Sequence, residues 1–147
     1  MALAVVALAV AACGAETVIP AMTGPLVTVE LRGGECPDGP CGQTVMLERD
    51  GRVHEAAKPP NDLGLVPQAQ VAAIDAAIKA TDFAVLRSHP FTGECPTAFD
   101  GQEVVYTFAT PSGTERIASC EVDIDAGDPL FVAIGAALGQ WVPLPLT

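Results

Sequence analysis

Apolar and polar residues alternate with the period of a strand in several parts of the chain. Val27, Val29 and Leu31 alternate with Thr28, Glu30 and Arg32, which predicts a first strand with one buried face. Residues 43–49 (QTVMLER) predict a second strand. Asp50-Gly51 supplies a hairpin turn, and residues 52–56 return as a third strand. Residues 58–65 (KPPNDLGL) then break the pattern, because two prolines, Asn-Asp and a glycine predict an irregular connector. Pro67 suits the first turn of a helix. Val71, Ile74 and Ile78 recur at i, i+3 and i+7 with Ala77 beside them, while Gln68, Asp75 and Lys79 point away. That spacing predicts an amphipathic helix of about four turns. Thr81-Asp82-Phe83 ends it, with Phe83 and Leu86 tucked under the sheet.

The second half is organised around residues 91–128. Val104, Tyr106 and Phe108 alternate with Glu103, Val105 and Thr107, and Pro111-Ser112-Gly113 supplies a turn. The return strand is expected to place Ala118, Cys120, Val122 and Ile124 on one face and Ser119, Glu121, Asp123 and Asp125 on the other. Asp128-Pro129 is an N-cap followed by proline at the first helical position, and Leu130, Phe131, Ile134 and Leu138 form the buried stripe of a second helix. Gly139 suits the position just past its last turn. Residues 141–146 (WVPLPL) are extended and packed on the core. The order β-β-β-α-β-β-α predicts an α+β fold: an antiparallel sheet of about five strands with two helices packed on one face.

The start of the chain is a separate object. Residues 2–12 are an unbroken apolar run ending at Cys13. The run is shorter than the roughly 20 residues that span a bilayer and suits the apolar core of a signal peptide. Val10-Ala11-Ala12-Cys13-Gly14 resembles the lipobox of bacterial lipoproteins, in which the cysteine is lipid-modified and becomes the first residue of the mature chain. The resemblance implies a signal peptide over residues 1–12, a lipidated Cys13 and tether over residues 13–25, and one extracytoplasmic domain over residues 26–147. It makes the membrane the first partner, through the anchor at Cys13.

Of the 147 residues, 50% are hydrophobic, enough for a sizeable core in one domain. The net charge is −11, with a pI near 4.3. That balance argues against nucleic acid and against an electrostatic hold on anionic lipid. It suits the surface of an exported monomer, with another envelope protein as a second partner.

The five cysteines are odd in number. With Cys13 set aside, Cys36, Cys41, Cys95 and Cys120 remain, and an exported context favours disulfides. Four cysteines allow three pairings. Local pairing is the expectation: Cys36 with Cys41 around the turn Pro37-Asp38-Gly39-Pro40, and Cys95 with Cys120 around the hairpin. Redox-active pairs usually have two intervening residues before a helix, whereas Cys36 and Cys41 have four and precede a strand. A four-thiolate zinc site fits the spacing but not an oxidising compartment.

Candidate chemistry is sparse. Glu121, Asp123 and Asp125 on one strand face, followed by Asp128, are weak candidates for a metal site, since calcium takes six to eight oxygen ligands. An EF-hand loop counted from Glu121 would need Gly and Glu where Ala126 and Val132 stand, so the bland reading is a solvated strand face. His54 and His89 lack any metal-ligand spacing, and Ser88, His89 and Asp100 make a triad only on paper. No phosphate-cradling glycine loop or nucleophile motif appears. The loop 93–101 (GECPTAFDG), dense in Gly, Pro and Cys, reads either as a rigid binding edge or as a shaped turn into the strand. No cofactor is expected and no catalytic residue is assigned. The expectation is a lipid-anchored envelope protein that acts by binding. The alternatives are a small hydrolase using His89 or His54, or a weak calcium-binding domain using the acidic face.

Four pieces, GGECPDGPC, ATDFAVL, CPTAFDGQEVVYTF and SCEVDIDAGDPLF, resemble an uncharacterised family of small, exported bacterial lipoproteins, and together they span Arg32 to Leu138. The resemblance implies an exported compartment and paired cysteines, and brings no activity and no functional residue with it.

Overall fold

A computed structural model of the protein describes residues 24–36 and 39–144. The chain is α+β. Strand β1 (Val27–Arg32) leads into a two-residue ladder of β2 (Glu35–Cys36) and β3 (Gly39–Pro40). The hairpin β4 (Gln43–Leu47) and β5 (Arg52–Glu55) follows, then β6 (Asn61–Leu65). Helices α1 (Gln68–Ala80) and α2 (Phe83–Arg87) come next. A 3-10 turn (Pro96–Phe99), the hairpin β7 (Glu103–Thr110) and β8 (Gly113–Ala118), and helix α3 (Pro129–Leu138) complete the order. The large sheet has six strands in the order β6-β5-β4-β1-β7-β8, with every ladder antiparallel.

The strand period decides which face is covered. Val29 of β1 pairs with Val45 of β4 on one side and Tyr106 of β7 on the other, while Val27 pairs with Leu47 and Phe108. These side chains are buried on one face. The helices pack there: Phe83 of α2 lies 5.3 Å from Phe108, and Phe131 of α3 lies 5.1 Å from Tyr106, between ring centroids. Val71, Ile74 and Ile78 of α1 are buried in the same core, as the i, i+3, i+7 spacing predicts. Asp128 caps α3, its Oδ1 accepting from the Leu130 amide at 2.8 Å, with Pro129 at the first helical position.

Three features differ from the reading of the sequence. The sheet has six strands rather than about five, because residues 61–65, expected as a connector, form β6 against β5. An edge strand needs partners on one side only, and the ladder tolerates a register shift between Val53 and His54. Gly64 admits the Trp141 ring, which lies 3.0 Å from where a Cβ would stand. Helix α2 is an additional short helix, since the Asp82 side chain accepts from the amides of Ala84 and Val85 and restarts the helix after Thr81. Finally, β8 ends at Ala118. Residues 119–121 turn away, with the amides of Glu121 and Val122 both donating to the Ala118 carbonyl.

The opposite sheet face carries the local ion pairs Glu30–Arg32 and Arg116–Glu121, beside the buried Val105 and Ala118. Among the described residues no helix is long and apolar enough to cross a membrane. Past α3 the chain crosses the end of the core, where Val142 is buried and the Trp141 carbonyl accepts from Gln43 Nε2 at 3.2 Å.

Asp75 of α1 joins the helix to the β4–β5 turn through Arg49 Nη1 at 3.2 Å and also accepts from Lys79. The Lys79 hydrogen bond first, and Arg49 with it, hold the Asp75 carboxyl below its ordinary value of 3.8 despite partial desolvation. A depressed carboxyl adds stability above its unfolded value and loses it as pH falls through the folded one. Asp75→Asn is therefore expected to lower stability at neutral pH by up to about 1 kcal/mol. In urea melts across pH the gap should close on the acid side of 3.8. A gap that persists unchanged to about pH 2 contradicts the pairing.

Candidate functional site

The two segments that flank the β7–β8 hairpin have little regular structure of their own, and covalent and backbone ties hold them together. Cys95 is bonded to Cys120, with Cα atoms 5.2 Å apart and a sequence separation of 25. Pro90 and Val122 form an isolated antiparallel bridge, in which the Phe91 amide donates to the Glu121 carbonyl and the Asp123 amide to the His89 carbonyl. Cys95 starts the 3-10 turn, Asp100 closes it in the left-handed region at φ 58°, and the Gly101 amide donates to the Pro96 carbonyl at 2.8 Å. A Cβ on Gly101 would lie 2.7 Å from both the carbonyl oxygen and the Cβ of Pro96, so only glycine lets the loop close this tightly. This geometry makes the loop a tight, shaped turn that leads into β7.

These ties frame an open hollow of about 230 Å³. Val104 and Tyr106 of β7 line it, together with Phe91 and Pro96 from the first segment and Ser119 and Ile124 from the second. Pro96 and Ser119 are the chain neighbours of the two bonded cysteines, so the disulfide sets the spacing of these walls. Ser119 Oγ accepts from the Val104 amide at 3.0 Å. Tyr106 is 1% exposed, and its hydroxyl is buried without a hydrogen-bond partner among the described residues. Burial pushes the phenol pKa well up, so it remains a neutral O–H donor. Asp123, exposed, lines the hollow as well.

The acidic residues singled out from the sequence do not share a strand face, because β8 stops before them. Each has its own role. Glu121 pairs with Arg116, Asp125 Oδ1 accepts from the Gly127 amide, Asp128 caps α3, and Asp123 borders the hollow. Cys120 likewise stands two residues past the strand rather than in it. No three His, Cys, Asp or Glu side chains converge to hold a metal ion among the described residues.

The histidines stand apart from the hollow. His54 Nε2 lies 2.9 Å from Glu48 Oε1 on the outer face of the β4–β5 hairpin. His89 is exposed, and the Ser88 hydroxyl donates to the Val85 carbonyl at 2.7 Å. Asp100 terminates the 3-10 turn, so Ser88, His89 and Asp100 serve three separate local structures. Cys13, the signal peptide, most of the tether and the side chain of Cys36 lie outside the described residues, and with them the lipidation site and the Cys36–Cys41 pairing.

Tyr106 was legible in the sequence only as a core position. The signal that could have marked it is chemical: a tyrosine placed among Val, Phe and Ile on a buried strand face has a hydroxyl that needs a partner. Comparison with known proteins finds no matching family model, no matching curated protein and no matching solved structure.

If the bridge frames the hollow, its removal has a measurable cost. Replacing both Cys95 and Cys120 by alanine is expected to lower unfolding free energy by about 3 kcal/mol, the value for closing a loop of this length. Urea denaturation of the two forms checks it. A loss under about 1 kcal/mol would mean that packing alone holds the two segments.

Proposed function

We propose that this chain is a lipid-anchored domain of the bacterial cell envelope that works by binding and not by catalysis. The observation that carries the reading is the disulfide-framed hollow. Structural disulfides persist in oxidising compartments, which supports export. A concave, mainly apolar site with a few polar groups is the usual form of a binding pocket.

The lipobox-like sequence ending at Cys13 provides the anchor. One acyl chain binds a bilayer only marginally, so stable tethering requires more than one at Cys13. Confinement to a surface raises the effective concentration of the domain toward a ligand or protein at that surface. The same oxidising compartment would join Cys36 to Cys41 as a second, local disulfide.

A hydrolytic reading through His54 or His89 has less support. His54 has an oriented carboxylate in Glu48 but, among the described residues, no hydroxyl or thiol completes that contact, and His89 is exposed. Calcium binding through the 121–128 acids has less still, since Asp125 and Asp128 are each engaged with the backbone and Glu121 with Arg116.

The anchor is tested by fractionation and mass spectrometry of the full chain made in bacteria. The expected result is a membrane-bound protein whose first residue is acylated Cys13, and a Cys13→Ser form that is released to the soluble fraction. A chain that retains Met1, without acyl groups, contradicts the envelope reading.

A further inference from the structure

A groove on the helical layer carries polar side chains of one sense only. It is open, has a volume of about 280 Å³, and lies where the last turn of α1, the start of α2 and the start of α3 meet. Ala77, Val85, Leu86 and Leu130 supply its apolar surface, and its polar side chains are Thr81, Asp82 and Asp128. The Thr81 hydroxyl donates to the Ala77 carbonyl at 2.8 Å, so its proton is used within α1. Asp82 Oδ1 accepts from the amides of Ala84 and Val85, and Asp128 Oδ1 from that of Leu130. These caps fix both carboxylates and leave Oδ2 of each without a hydrogen bond or ion pair among the described residues. The bases nearest to them in the chain, Lys79, Arg87 and Arg116, pair with Asp75, Glu115 and Glu121. The side chains of the groove therefore accept hydrogen bonds and do not donate them. Two carboxylates above an apolar floor call for a cation that brings its own apolar surface.

The exposed apolar surface indicates the size of the partner. Among the described residues four large apolar side chains are more than half exposed, and Val85 and Val132 are two of them. Val85 lines the groove, and Val132 stands one turn along α3 from Asp128, its amide donating to the Asp128 carbonyl. Exposed apolar surface is thus not confined to the groove, which suits a protein chain better than a small molecule. A second copy of this chain does not match, since it would bring the same net charge of −11.

We propose that the groove between α1, α2 and α3 docks a basic partner protein, through an aliphatic side chain set against Val85, Leu86 and Leu130 and flanked by lysine or arginine that pairs with Asp82 and Asp128. The inference rests on the binding function proposed above but uses a surface other than the disulfide-framed hollow. It does not need the anchor at Cys13.

The test uses the full chain in its oxidised form, with the peptide KLLKLLK as probe and ELLELLE as its charge-reversed control. Binding is followed by NMR. KLLKLLK is expected to give saturable shifts centred on Ala80, Val85 and Leu130 and to lose affinity as salt is raised, while ELLELLE gives none. The double variant Asp82→Asn, Asp128→Asn keeps both helix caps, because asparagine caps about as well as aspartate. It is expected to bind KLLKLLK about fivefold more weakly, the loss of two exposed ion pairs. Val85→Ser, at a position already 54% exposed, should weaken binding as well. Asp62→Asn with Glu94→Gln removes the same charge from exposed positions that do not line the groove, and should bind as the natural chain does. Shifts centred elsewhere, equal binding of the two peptides, unchanged affinity in the Asp82, Asp128 variant, or an equal loss in the Asp62, Glu94 control would each overturn the inference. None of these outcomes bears on acylation of Cys13, so failure of the groove and failure of the envelope reading are read separately.

Discussion

The bond between Cys95 and Cys120 is the constraint on which the functional half of this protein depends. It joins two segments whose other backbone tie is the bridge between Pro90 and Val122. Regular elements bring their own hydrogen-bond ladders, but irregular segments must be ordered by something else. A cross-link does this by restricting the unfolded chain, and its effect grows with the length of the loop that it closes. Here the closed loop contains the whole β7–β8 hairpin, so one bond fixes the hairpin base and the walls of the hollow together.

The hairpin is also where the core is densest in aromatic side chains. Tyr106 and Phe108 project from β7 toward the helices and meet Phe131 and Phe83. Because β7 lies between β1 and the edge strand β8, this cluster connects the helical layer to strands on both sides. Placing all the helices on one face leaves the other open to charged side chains. Arg32 and Arg116 there are paired with Glu30 and Glu121, while most of the 18 acidic residues have no basic counterpart among only 7 lysines and arginines. The excess negative charge keeps the surface well solvated.

What the sequence revealed, and what it concealed, follows from the range of the interactions involved. The alternation of Val27, Val29 and Leu31, the stripe of Val71, Ile74 and Ile78, and the cap at Asp128 are local patterns, and each produced the expected element. The pairing of Cys95 with Cys120 was legible because its spacer is a hairpin. Strand β6 was concealed because its own residues, Asn61–Leu65, include Asn, Asp and Gly; it exists through its pairing with β5. The early end of β8 was concealed for a similar reason, since apolar alternation continues through Cys120, Val122 and Ile124 while the disulfide and the Pro90 bridge draw the backbone away. Tyr106 was placed correctly as a buried strand residue, but whether its hydroxyl finds a partner is settled only by what packs around it.

The state of the sulfurs in the natural protein tests the account most directly. The full chain is taken from the cells that make it, alkylated without reductant, digested and analysed by mass spectrometry. The account predicts a peptide pair linked through Cys95 and Cys120, with neither thiol alkylated until reductant is added. Recovery of both cysteines alkylated at the outset would contradict it, because the hollow would then lack its frame and the export reading its structural support.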